Sequence, residues 1–218
     1  MNENAGDKKQ ILCFGDSNTW GLVPGSEPFE RYPQSIRWTG VLQEKYPEIT
    51  VLEEGLCGRT TVFEDALRPG RNGKEALPVI LESHMPIYAA VLMLGTNDCK
   101  SLYANNEYTI GRGIELVLDE LQKYVIPERI LLVSPILLGS DVWMPHKDPE
   151  FDQRSVEVCR KLKYVYSNIA RKRKTIFLAA DEYVTASSTD DEHMDAEGHR
   201  LFADAIYSKL KEMEIFLK

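Results

Sequence analysis

No apolar run in this 218-residue chain approaches the roughly 20 residues needed to cross a bilayer, so a membrane-spanning role is not expected. Basic charge is also short, with 26 Lys and Arg against 34 Asp and Glu and a net charge of −8. A general nucleic-acid binder needs a cationic footprint to release counterions, and that class is set aside. The cysteines Cys13, Cys57, Cys99 and Cys159 are too scattered for a zinc site or a disulfide framework. No Walker-type or GxGxxG string is present to cradle phosphates. No repeat, low-complexity tract or linker divides the chain, so one domain is expected over 1–218, with a flexible polar segment at 1–9. The first ten residues have no apolar core and do not read as a secretory signal. With reduced thiols, a cytoplasmic location is the expectation.

What is present is an alternation of short apolar runs with helical patterns. Strands are predicted at 11–14, 49–52, 88–94, 129–133 and 176–178, the third as a central strand buried on both faces. Helices are predicted at 36–46, 74–84, 110–124, 152–173 and 196–216, with Pro78 weakening the start of the second. The basic cluster at 171–174 reads as a solvated helix carboxyl end that complements the dipole. Residues 22–35 and 137–151 read as long loops. Strand–helix alternation implies a five-stranded parallel sheet covered on both faces, a three-layer α/β/α domain.

Three strand ends carry small polar residues where open α/β sheets place their ligands. The first is Gly15-Asp16-Ser17-Asn18, the second leads to Cys57-Gly58-Arg59, and the third is Gly95-Thr96-Asn97-Asp98. The loop before the last helix adds Asp190-Asp191-Glu192-His193. Acyl transfer by a serine needs a base within reach, a group to orient that base, and donors for the oxyanion. Ser17 is the candidate nucleophile, His193 the base, and Asp190 the group that fixes the imidazole tautomer. The candidate oxyanion donors are the N–H of Ser17, the N–H of Gly58 and the side-chain amide of Asn97. Trp20, three residues from Ser17, is expected to line the substrate pocket. Trp143, Met144 and Phe151 read as pocket, core or subunit contact. Asp16 and Asp98 read as loop-forming residues, His199 as a helix-start or loop support, and His84 and His146 as surface histidines. Cys57 and Cys99 read as packing or pocket-wall residues.

Taken together, the four blocks resemble the SGNH hydrolases, also called GDSL esterases, over nearly the whole chain. The strings Thr19-Trp20-Gly21, Arg37-Trp38-Thr39-Gly40 and Arg59-Thr60-Thr61 bring the resemblance closest to the small arylesterase and acyltransferase branch. The resemblance implies a flavodoxin-like sheet and hydrolysis of small or aryl esters without metal or other cofactor. It also implies a homo-oligomer whose loops shape the entrance. Thioester hydrolysis and carbohydrate deacetylation share the acyl half-reaction. A non-catalytic anion-binding α/β module is the rival from another class, and it would not need Asp190 and His193 together. Relatives often carry leucine at the position of Asn18, and a glycine with an apolar residue at those of Asp191 and Glu192. The added acids are expected to raise the pKa of His193.

Overall fold

In the computed structural model, which describes residues 8–215, five parallel strands form one sheet. They are β1 (Lys9–Gly15), β2 (Ile49–Gly55), β3 (Ala89–Met93), β4 (Ile130–Ser134) and β5 (Ile176–Ala179), in the spatial order β2-β1-β3-β4-β5. All five predicted strands are present, each bound within three residues of its expected position. Lys9, expected in the polar lead-in, is instead the first residue of β1 and pairs with Ile49.

Period-two alternation divides each strand between two cores. Ile11, Cys13, Val91, Met93, Leu131 and Val133 face α2 (Trp38–Lys45) and α6 (Ala196–Glu212), where Trp38, Leu42, Phe202 and Ile206 cover them. Leu12, Phe14, Ala90, Leu92, Ile130 and Leu132 face the opposite layer. That layer is α3 (Gly73–His84), α4 (Glu107–Leu121) and α5 (Gln153–Arg173). The central strands are buried on both sides, which explains why they read as continuous apolar runs instead of alternating ones.

Capping residues set the helix bounds more closely than periodicity does. Asn106 accepts from the backbone of Tyr108 and Thr109 and starts α4 three residues before the predicted Ile110. Asp152 and Ser155 form a reciprocal capping box at the head of α5, and Arg171, Lys172 and Arg173 occupy its last turn. Pro78 is accommodated inside α3, whose cap is Asn72. The helix predicted to run to Phe216 ends at Glu212, and Phe216 lies outside the described residues. Residues 137–151 form no helix, as expected of a loop.

One short α-helix lies outside the five helices predicted above. The residues after β1 form a four-residue helix, α1 (Ser17–Trp20), closed by Gly21 at φ +89°. The strand β1 lies between β2 and β3, so the chain reverses its direction across the sheet there, and open α/β sheets hold their crevice at such a point. Gly15 is in register with both Gly55 and Met93, which brings the carboxyl ends of the three strands level.

Candidate active site

Gly15 is required where β1 turns into α1. A Cβ there would lie 2.1 Å from Thr19 Oγ1 and 2.9 Å from the Met93 carbonyl. Asp16 is the residue that caps α1, accepting from the Asn18 N–H at 3.1 Å. Capping by Asp16 leaves the Ser17 hydroxyl available to a more distant partner. That partner is His193, whose Nε2 lies 2.9 Å from Ser17 Oγ.

The loop before α6 folds around one carboxylate. Asp190 Oδ1 accepts from the backbone of Glu192 and His193, each at 3.0 Å. Its Oδ2 lies 2.7 Å from His193 Nδ1 and also accepts from the Gly25 N–H at 3.0 Å. The three-residue spacing thus closes a tight turn in which the imidazole is held at Nδ1 and aims Nε2 at Ser17. The Gly25 contact ties the turn to the long 22–35 loop.

Gly58 takes φ +80°, a left-handed conformation that glycine adopts without steric penalty. The Asn97 amide donates to the Arg59 carbonyl at 3.1 Å; a primary amide has two N–H groups, so a second remains for a ligand. Buried Arg59 anchors this loop, donating to the carbonyls of Gly15 and Glu54 with its guanidinium 4.2 Å from the Phe14 ring centroid. Asp98 joins the Gly58 loop to the Asn97 loop, accepting from the Thr61 N–H at 3.0 and 3.1 Å and from the Thr61 hydroxyl. Burial outweighs these bonds and pushes the Asp98 carboxyl up to about 7. The loop-forming readings of Asp16 and Asp98 therefore agree with their contacts.

Ser17, Gly58, Asn97, Asp190 and His193 all border one cavity of about 530 Å³. Its other walls come from the 22–35 loop (Leu22, Gly25, Phe29), from Leu67 and Arg68, from Lys100, and from the 146–150 stretch. Sequence reasoning missed most of these walls, because loop residues carry no periodic signal. His146, read as a surface histidine, is one of them, while His84 pairs with Glu54 at 2.9 Å.

Trp20 is a correction. It is not among the described residues that line the cavity; its carbonyl accepts from Arg31 Nε at 2.6 Å, and the Arg31 guanidinium lies 5.2 Å from its ring centroid. The returning 22–35 loop supplies that arginine and occupies the indole, and Leu22 faces the cavity in its place. Phe151 is buried in the core and Trp143 packs against it. Cys57 lines the cavity, while Cys99 is buried and donates to the Gly95 carbonyl at 3.4 Å.

Two acids beside the imidazole shape the electrostatics of the site. Burial pulls His193 toward the neutral form, but Glu192, then Asp190, outweigh it and raise the imidazole to about 9. Glu192 is buried, with its carboxylate 3.7 Å from His193 Nε2. Its own pKa is raised by burial, against the charges of His193 and Lys100. Asp190 is held below the usual carboxylate range: burial opposes this, and the bonds and charge of His193 prevail. Asp191 does not share the work expected of it. At φ +60° it turns away, paired with Lys147 Nζ at 2.7 Å and accepting from the Asp141 N–H at 3.2 Å. His199, buried in α6, accepts from the Trp38 N–H at 3.4 Å, and burial, then the charge of His193, pulls it down to about 4. Burial pushes the Cys57 thiol up to about 11, far from a thiolate nucleophile at neutral pH. Among the described residues no group of His, Cys, Asp and Glu could hold a metal ion, and no helix is long and apolar enough to cross a membrane.

Comparison with known proteins gives a consistent set. The sequence profile of the GDSL-like Lipase/Acylhydrolase family matches residues 13–201. No curated protein matches the chain. Among solved structures, a carbohydrate acetylesterase from Sinorhizobium meliloti is 33% identical with a TM-score of 0.86, covering 94% of this chain and 100% of its own. The aryl esterase of M. smegmatis is 32% identical with a TM-score of 0.86, covering 94% of this chain and 99% of its own. A lipase/acylhydrolase from Enterococcus faecalis shares the fold at 19% identity and a TM-score of 0.68, covering 94% of this chain and 96% of its own.

Proposed function

Because this chain belongs to the GDSL-like lipase/acylhydrolase family, we propose that it is a serine esterase that cleaves small or aryl carboxylic esters through an acyl-enzyme. The observation that carries the reading is the chain of two hydrogen bonds from Ser17 Oγ to His193 Nε2 and from His193 Nδ1 to Asp190 Oδ2, at 2.9 and 2.7 Å, on the wall of the cavity. Ser17 Oγ attacks the ester carbonyl carbon and its proton passes to His193 Nε2. The developing oxyanion is held by the N–H groups of Ser17 and Gly58 and by the Asn97 amide. When the tetrahedral centre collapses, the carbon–alkoxy bond breaks and His193 returns the proton to the departing alcohol. Water then attacks the acyl-enzyme and gives a proton to Nε2; the bond from the acyl carbon to Ser17 Oγ breaks as Nε2 returns that proton to Oγ, which frees the carboxylic acid and restores the Ser17 hydroxyl. An alcohol or peroxide in place of water turns the same step into acyl transfer.

A second reading, deacetylation of carbohydrates, has one observation in its favour. Much of the cavity wall away from Ser17 is polar or charged, bordered by Ser26 and by the ion-paired Arg68, Lys100, Asp148 and Glu150. The acyl half of the reaction is unchanged, and only the alcohol differs. The resemblance to oligomeric relatives further suggests that a second copy borders the entrance, where the exposed Phe29 and Leu67 stand. Light scattering on the purified chain tests that point. Hydrolysis of p-nitrophenyl acetate by the wild type, compared with Ser17→Ala and with turnover of acetylated sugars, tests the reaction and separates the two alcohols.

A further inference from the structure

Asn18 stands directly after Ser17, in the first turn of α1, and its side chain is buried. Its amide does not bond locally. Oδ1 accepts from the Met194 N–H at 2.9 Å, and Nδ2 donates to the Glu192 carbonyl at 3.2 Å. Glu192 and Met194 are the two residues that flank His193. One planar amide therefore grips the backbone on both sides of the imidazole, across 174 and 176 residues of sequence. At its other end Asn18 is fixed by its own N–H, which donates to Asp16 Oδ1 at 3.1 Å.

We propose that Asn18 is a positioning residue that locks the His193 loop onto the nucleophile turn independently of the Ser17–His193 hydrogen bond. The proposal rests on the esterase reading above for its consequence in turnover. In the free enzyme three restraints hold the imidazole: the Asp190 carboxylate, the Asn18 clamp on the backbone, and the Ser17 hydroxyl. In the acyl-enzyme the Ser17 Oγ is esterified and has no proton to donate, so its bond to Nε2 is lost. The clamp and Asp190 then carry the geometry alone, at the step in which Nε2 must take a proton from water. Misplacing a catalytic base by about 1 Å is enough to slow a step about 10²-fold. Deacylation is therefore the step most exposed to loss of the clamp.

The Asn18 amide presents its acceptor and its donor on two separate atoms, so it reaches the Met194 N–H and the Glu192 carbonyl together, which the shorter single hydroxyl of serine does not. Asn18→Leu keeps the branched outline of the side chain and removes both bonds, leaving the Met194 N–H and Glu192 carbonyl without their partner. If deacylation slows while acylation is spared, kcat falls and KM falls with it, and kcat/KM stays near the wild-type value. The acyl-enzyme then accumulates.

The test is a stopped-flow comparison of wild type, Asn18→Leu and Asn18→Ser with p-nitrophenyl acetate. It is accompanied by proton NMR of the His193 Nδ1–H resonance, a readout that needs no substrate. The expected result is a roughly 10- to 100-fold lower kcat with kcat/KM changed less than about threefold, a burst nearing one product per site, and a broadened Nδ1–H resonance. Should Asn18→Leu fail to fold, as near-UV circular dichroism reports, Asn18→Ser is read by the same criteria. Unchanged kcat with a sharp resonance overturns the proposal, and so does an equal loss in kcat and kcat/KM. Absence of Ser17-dependent turnover in the wild type defeats the esterase reading instead. The clamp is then judged by the resonance alone, broadened if Asn18 holds the loop and unchanged if it does not.

Discussion

The Glu192 carboxylate lies 3.7 Å from Nε2 of His193, the same ring nitrogen that meets Ser17 Oγ at 2.9 Å. An anion so placed stabilises the imidazolium, and Glu192 stands first among the groups that lift His193 to about 9. Asp190 and Asp16 act in the same direction, and Lys100 faces Glu192 from the β3–α4 connection.

The reaction needs the neutral imidazole, so kcat/KM for p-nitrophenyl acetate is expected to climb as the pH rises toward about 9. Glu192→Gln displaces that limb to lower pH, and activity at neutral pH then rises about tenfold for every pH unit that the limb travels. Asp191→Asn leaves the limb in place, since its carboxylate is bound to Lys147. A profile moved by Asp191→Asn and not by Glu192→Gln would contradict this assignment.

The contrast between these two neighbours marks where the sequence stops being informative. Both acids were visible beside His193, but the turn at 190–193 decides which one faces the ring, and it sends Asp191 away at φ +60°. The strands were readable because two-sided burial demands uninterrupted apolar residues, as at Ala89–Met93. Ser17, Gly58, Asn97, Asp190 and His193 were readable because each follows or closes a recognisable strand end or loop. The long-range partners were not. Asn18 finds its contacts 174 and 176 residues away, and Arg31 reaches Trp20 from a loop with no periodic pattern. A three-residue spacing from Ser17 placed Trp20 in the pocket, and the arginine of the returning loop took it out.

Asn97 is positioned by its bond to the Arg59 carbonyl and by Asp98, which holds the facing loop through Thr61. Under the proposed reaction, in which Asn97 is an oxyanion donor, Asn97→Ala removes that donor without disturbing the Ser17–His193 pair. Loss of such a donor lowers kcat about 10²- to 10³-fold, with little effect on KM. Steady-state kinetics check this, and a change confined to KM would remove Asn97 from the oxyanion site.

His199 supplies a stability prediction with a defined sign. Its folded pKa, lowered to about 4, lies below the unfolded value near 6.5. The unfolded chain therefore binds the extra proton between these values, and stability falls as the pH drops through that window. The loss is on the order of 3 kcal/mol when complete. His199→Gln lacks this titration, so the gap in urea-unfolding free energy between wild type and variant narrows from pH 7 to pH 4.5. A gap that does not depend on pH would show that His199 is not held neutral in the fold.

Stopped-flow hydrolysis of p-nitrophenyl acetate by wild type and Ser17→Ala, at matched concentrations, tests the role of Ser17 most directly. A burst or rapid turnover is expected from the wild type and its loss in the variant, with the fold intact by circular dichroism. Equal slow rates from both proteins would contradict this and remove Ser17 as the nucleophile toward this ester.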